Sequence, residues 1–229
     1  VHVPDGFLDA PTSVGTAVVA AGVVAWSLRR SVRHELDERT APLAGLVAVF
    51  VFAAQMVNFP VGAGTSGHLL GGALAAVLVG PATATLCLTV VLSVQAFLFA
   101  DGGVTALGTN VLLMGVVGVW VGYAVARAVL AVLPRRLRSV SWAAGAGAFA
   151  SVPVAALAFV GLYALGGAAP VPLGSLAVAM GGWHVLIGLG EAAITALAVG
   201  SVVAARPDLV YAARGRLPAL ELRTAEVTR

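Results

Sequence analysis

The chain contains no lysine. All thirteen of its Lys/Arg charges are arginines. A single cysteine, Cys87, excludes an intrachain disulfide framework and a paired-cysteine metal site. No glycine-rich phosphate loop of the Walker type occurs, so any ATP-driven work must come from a partner. No HExxH pair occurs either, which removes the usual constellation of an intramembrane metallohydrolase and points away from an enzyme. Charged residues are only 10% of the 229 positions. Long stretches are almost without them.

What is there is apolar: 60% hydrophobic residues and a mean hydropathy of +1.01. The arginines fall in three blocks, at 29–39, 127–138 and 206–229. Basic residues collect in cytoplasmic loops, so the stretches between the blocks should each cross a bilayer an even number of times. A spanning helix needs roughly 17 to 25 residues. Pro11 to Leu28 supplies one. Thr40 to Ala126 supplies four, broken at Asn58 to Ser66, Gly80 to Pro81 and Asp101 to Gly103. Ser139 to Ala205 supplies two, around Gly166 to Gly174. The expected fold is an all-α polytopic membrane helix bundle of about seven transmembrane helices, with the N-terminus outside and the C-terminus cytoplasmic. Residues 1–205 form one transmembrane domain with an inserted N-terminal segment, and residues 206–229 a cytoplasmic tail. The third span, Gly67 to Gly80, is short and is expected to be half-buried or tilted. The charge of +3 is accounted for by the basic loops, so no nucleic acid is expected as a partner. Asp5 and Asp9, rather than a positive region, precede the first helix, which is therefore not read as a cleaved signal.

This topology gives each polar residue a depth. Gln55, Asn58, Ser66, His68, Ser93, Gln95, Asp101, Thr109, Asn110 and His184 all fall toward the outer side, with Glu191 near the middle of the last span. Polar groups in hydrocarbon are costly unless they face partners or water, so their shared level implies an outward-opening cavity. His34, in SVRHELDER, reads as solvated loop. Cys87 reads as a small packing residue. His184 and Glu191 share a helix face about 10 Å apart, too far to bind one ion together without a bend at Gly188 or Gly190. Structural hydrogen bonds to neighbouring helices are the expectation for this pair.

The N-terminus, VHVPDGFLDAP, places a histidine second and a Pro-Asp-Gly turn behind it. A free amine on Val1, the deprotonated amide of His2 and its Nδ1 form two fused chelate rings, and a nitrogen from His68 would complete a square plane. That geometry suits Ni(II) or Cu(II), and low-spin Co(II) also adopts it. The amine must lose a proton to bind, so affinity should fall in acid. A first-position valine is what a GTG start codon yields when translated literally, and a methionine there would supply the same amine.

Four segments carry a family likeness: HVPDGFL (2–8), NFPVGAGTSGHLLGGALAAVLVGP (58–81), ADGGVTALGTN (100–110) and HVLIGLGEAAIT (184–195). In this order they resemble the CbiM/NikM family, the substrate-binding membrane components of cobalt/nickel energy-coupling-factor transporters. The resemblance implies a metal site of the residue-1 amine, the amide and ring of His2, and His68, with Co(II) or Ni(II) as transported substrate and no organic cofactor. It sets copper aside, which the ligands alone do not. It also implies a transmembrane coupling component, ATP-binding subunits, a small accessory membrane subunit, and a place in the bacterial cell membrane. Gln55, Asn58, Ser66, Thr109, Asn110, His184 and Glu191 are candidates to orient the ligands through hydrogen bonds. The Gly67/Gly71 and Gly118/Gly122 pairs are expected to pack inside the bundle. A cation-coupled carrier working without ATPases is the main rival. It would place ionisable groups at mid-membrane and show internal repeats, and no repeat is found.

Overall fold

A computed structural model of the chain describes residues 2–38, 40–62 and 65–216. Val1, the first proposed ligand, and the tail beyond Arg216 lie outside the described residues, as does the side chain of Ser66. Among the described residues, five helices are long and apolar enough to cross a membrane. They are α1 (Ala10–His34), α4 (Pro81–Leu98), α5 (Leu107–Val132), α6 (Arg138–Gly166) and α7 (Leu173–Ala205). Two shorter helices, α2 (Ala41–Gln55) and α3 (Gly72–Val79), stand between the first two of these. A small antiparallel hairpin, β1 (Phe59–Gly62) and β2 (Thr65–Gly67), joins α2 to α3 where the sequence shows only a break. The molecule is a membrane helix bundle, and lipid-facing positions such as Leu46, Leu98, Trp142, Val178 and Leu197 remain exposed on its surface.

Local chemistry explains the boundaries. The Asp9 carboxylate accepts from Thr12 N–H at 2.8 Å and caps α1. That helix runs on past Leu28 through the first arginine block, because nothing in Arg29 to His34 breaks it and basic residues suit a helix C-terminus. Pro81 sits in the first turn of α4, where its missing N–H costs nothing. Within α5, residues Val111–Gly118 widen to a π-helix, a departure that clusters at functional sites. Gly118 and Gly122 do face the interior: a Cβ on Gly122 would stand 2.6 Å from that of Ala73 on α3. The Gly67/Gly71 pair is not on a helix, since α3 begins only at Gly72.

Two apolar clusters fill the bundle. One, around α3, α4 and the start of α6, also takes in Val210, Ala212 and Ala213, so the chain after α7 does not leave at once but packs back in 3-10 turns at Pro207–Leu209 and Tyr211–Arg216. The other contains Val3, Phe7 and Leu8. The N-terminal segment is thus core. Phe7 packs 5.7 Å from Phe159 and 5.4 Å from Tyr163, ring to ring. Asp9 N–H donates to Gly166 O at 2.7 Å, and Ala168 N–H to Phe7 O at 3.0 Å.

Candidate metal centre

The segment ahead of α1 is clamped on its other side by the loop between α4 and α5. Asn110 holds Val3 in both directions, its Oδ1 accepting from Val3 N–H at 2.7 Å and its Nδ2 donating to Val3 O at 3.1 Å. Gly103 N–H adds a bond to the same carbonyl at 2.9 Å. Asp5 accepts from Thr105 N–H at 2.8 Å and from its hydroxyl, which holds the carboxyl below its usual range. The Pro4-Asp5-Gly6 turn closes with Phe7 N–H on Pro4 O, Gly6 taking the positive φ of 74° that such a reversal needs.

This clamp puts His2 inside the bundle beside His68, with ring centroids 4.5 Å apart and neither ring exposed. His2 Nδ1–H donates to Asp101 O at 3.1 Å. Gly102 has a φ of +89°, and a Cβ there would stand 2.7 Å from His2 Nδ1, so the loop fits the ring only with glycine. Burial lowers the His2 pKa to about 3, leaving a neutral imidazole. His68 Nδ1–H donates to Leu69 O at 2.8 Å, and His184 Nδ1–H to Met180 O at 2.8 Å. All three outer histidines therefore spend a ring N–H, on Nδ1, on a main-chain carbonyl. His34 is exposed, as expected.

The loop carrying His68 is itself fixed. Glu191 accepts from Leu70 N–H at 2.6 Å and Gly71 N–H at 2.8 Å, which pins the turn just ahead of α3. Gln55 Nε2 donates to Leu70 O at 2.7 Å. Asn58 reaches both oxygens of Asp101 at 3.3 Å. Thr109 is spent elsewhere: its hydroxyl bonds that of Thr16 on α1 at 2.7 Å. His184 and Glu191 lie on an unbroken α7, without a bend at Gly188 or Gly190. Among the described residues, no group of three or more His, Cys, Asp or Glu side chains forms a metal site.

Sequence reasoning assigned Gln95 a depth but not a role. Gln95 is fully buried on α4, and neither its Oε1 nor its Nε2 has a partner among the described residues. Its carbonyl takes Phe99 N–H and Asp101 N–H, both at 3.1 Å, which sets it under the loop that holds His2. His2 Nε2, His184 Nε2 and Gln55 Oε1 are likewise buried and unpartnered. Each such atom costs about 1–3 kcal/mol when left unmet. Their gathering at one end of the bundle marks a polar site waiting for a polar guest.

Comparison with known proteins gives the family. The family model described as the cobalt uptake substrate-specific transmembrane region matches residues 2–209. The chain belongs to this family, CbiM. A cobalt transport protein CbiM of Sorangium cellulosum is 38% identical over 190 residues, covering 80% of this chain and 81% of the relative. The fused nickel transport protein NikMN of Rhodobacter capsulatus is 37% identical over 223 residues, 91% of this chain and 63% of the relative. A crystal structure of a truncated transition metal transporter superposes with a TM-score of 0.83 at 29% identity, over 90% of this chain and 99% of that one. Membership of CbiM and the long apolar helices make this a multi-pass membrane protein of a metal-transport family.

Proposed function

We propose that this CbiM member is the substrate-specific component of an ATP-driven, energy-coupling-factor uptake transporter for Co(II) or Ni(II). The ion enters from outside and is held by the amine of residue 1, the amide and ring of His2, and the ring of His68. The observation that carries the reading is the pair of buried imidazoles at 4.5 Å, on a segment that the loop at 101–110 clamps in place. Binding exchanges the hydrogen bond from His2 Nδ1 to Asp101 O for the ion: the ring proton passes to Nε2, and the freed Nδ1 lone pair joins the chelate. Gln55, Asn58, Asn110, His184 and Glu191 orient the ligands or their loops, and Ser66 remains a candidate of the same kind; Thr109 serves instead to hold α1 through Thr16. The arginine blocks put the C-terminal side of about seven spans in the cytoplasm of a bacterial cell, in its plasma membrane. A transmembrane coupling component, ATP-binding subunits and a small accessory membrane subunit complete the machine, with nucleotide hydrolysis on the partners and none on this chain.

The test compares metal binding by protein with a free N-terminus and by acetylated or N-terminally extended protein, with His2→Ala and His68→Ala alongside. The expected result is one Co(II) or Ni(II) per chain with a square-planar absorption spectrum, lost in all three altered forms. Equal binding by free and blocked forms removes the amine from the site. Binding would then be sought among His68, His184 and Glu191.

A further inference from the structure

The end of the bundle opposite the histidines carries a second concavity. The 3-10 turn Tyr211–Arg216 folds back beneath α5 and leaves a cleft of about 480 Å3 against the end of α5 and His34 of α1. Arg127, Arg135, Arg214, Arg216, Tyr123 and Tyr211 stand in its walls, and its described lining includes no carboxylate. Two of the four guanidiniums are already committed. Arg216 donates to Leu130 O in the last turn of α5 and to Pro134 O just beyond it, the latter at 2.7 Å. Arg214 donates to Glu35 O at 3.2 Å and lies 5.0 Å above the Tyr211 ring. Arg127 and Arg135 form no ion pair and no side-chain hydrogen bond among the described residues. An ordinary solvated arginine loop needs no walls. Here two uncommitted cations face a cleft already shaped by two others.

Tryptophans place the cleft in depth. Trp142, 71% exposed, lies in the first two turns of α6. Trp26 is also exposed and packs 5.4 Å from Trp120, about two turns of α1 away from His34. Exposed tryptophans gather at the membrane–water boundary, so the cleft lies at the level of lipid headgroups. Val32 and Val132 beside it are open to the lipid side, at 67% and 83% exposure, and offer apolar surface to acyl chains.

We infer that this cleft binds the phosphate of an anionic phospholipid in the adjoining leaflet, with Arg127 and Arg135 as its cation pair. Guanidinium forks match phosphate oxygens two at a time, and the Tyr123 and Tyr211 hydroxyls can donate to the oxygens left over. A zwitterionic headgroup carries its own ammonium into the same field and is disfavoured. Basic pockets of this kind beside membrane helices are known headgroup sites. The orientation proposed above makes the leaflet the cytoplasmic one, but binding does not depend on it, nor on metal capture.

The test is native mass spectrometry of the full chain released from detergent, titrated with phosphatidylglycerol or phosphatidylcholine, for wild type and for Arg127→Gln/Arg135→Gln. Thermal melting checks that the variant folds, and soluble glycerol 1-phosphate serves as a competitor. The expected result is preferential retention of phosphatidylglycerol, weakened roughly ten- to thirtyfold in the variant and not displaced by glycerol 1-phosphate at equal concentration. Equal retention of both lipids, or an unchanged variant, overturns the inference. Displacement by glycerol 1-phosphate assigns the cleft to free phosphate instead. Retention of lipid only after Glu221→Gln/Glu226→Gln also overturns the inference.

Discussion

Replacing Glu191 by glutamine should loosen the metal site without touching either imidazole. The carboxylate accepts two main-chain N–H bonds, from Leu70 at 2.6 Å and Gly71 at 2.8 Å, two and three residues after His68. Glutamine keeps one acceptor and turns an NH2 toward the other N–H, so one bond is lost and two donors face each other. A hydrogen bond to a charged group contributes about 1.5–3 kcal/mol, and the donor left behind is buried, with Leu70 at 0% exposure. Part of this loss is recovered when α3 shifts. Carried through to the position of His68, a net 1.5–2.5 kcal/mol predicts about 10- to 70-fold weaker metal binding. Calorimetric titration of Co(II) or Ni(II) reads the affinity, and the absorption spectrum shows whether the coordination geometry survives. Glu191→Asp, which keeps both acceptors but shortens the reach, should fall between. Gln55→Ala removes one neutral bond to Leu70 O and should cost about 1 kcal/mol, near fivefold. If Glu191→Gln folds and binds metal like wild type, the carboxylate does not position the loop, and the argument from its two short bonds is wrong.

Asn110→Ala severs both bonds to Val3 at once, and about 2 kcal/mol of clamp goes with them; hydrogen exchange should then rise across residues 2–9 while the helices stay protected. Gly102→Ala should weaken metal binding more than it lowers the melting temperature, because its Cβ meets the His2 ring and it must also hold a positive φ; comparing the two measurements on one sample decides this. Gln95→Leu should fold as well as wild type or better, since it replaces two unpartnered polar atoms, yet bind metal more weakly; unchanged affinity would show the amide to be a bystander. Acid should undock the N-terminal segment. With the folded pKa of His2 at about 3 and an unfolded value near 6.5, the undocked form binds more protons between these limits, so docking is strongest above pH 6.5 and is lost progressively as pH falls toward 3. Exchange of residues 2–9, corrected for its intrinsic pH dependence, tracks that loss.

The five long apolar helices were legible because bilayer thickness converts directly into run length; of the seven spans expected, the two short helices α2 and α3 fall below that length. His2 and His68 were paired by the family likeness and not by their own neighbours in the chain; the structure sets their rings 4.5 Å apart. Contacts that only packing decides were not legible. Glu35 sits among Arg, His and Asp in what reads as a solvated loop, yet it is 1% exposed and accepts from Ala82 N–H, Thr83 N–H and the Thr83 hydroxyl. Composition showed only half of this: Arg30 does pair with Glu35, at 3.6 Å, but nothing in the sequence points the carboxylate at the start of α4. Thr109, by its depth, belonged with the site residues, but a depth does not say which way a helix faces, and its hydroxyl turns to Thr16. Gln95 had the right depth as well. Nothing in a sequence tells an amide with partners from one without.

Glu35 and Glu191 together answer how α3 can exist. Its eight residues reach only about 12 Å, far short of the roughly 30 Å of hydrocarbon, and a helix ending inside a membrane leaves main-chain groups that lipid cannot satisfy. The first condition is met by burial: every residue from Gly72 to Val79 is enclosed by neighbouring helices. Main-chain N–H groups on either side of α3 are met by carboxylates. Glu191 takes the N–H groups of Leu70 and Gly71 ahead of α3, while at its far end Glu35 takes those of Ala82 and Thr83 at the start of α4. Gly80 makes the junction possible, with a φ of +95° and no Cβ to collide with Glu35 Oε2, which would lie 2.6 Å away. A half-length helix held between two buried carboxylates stops partway through the bundle, and the loop before it then carries His68 inward to the level of His2. A full span at this place would have put that histidine out in the water.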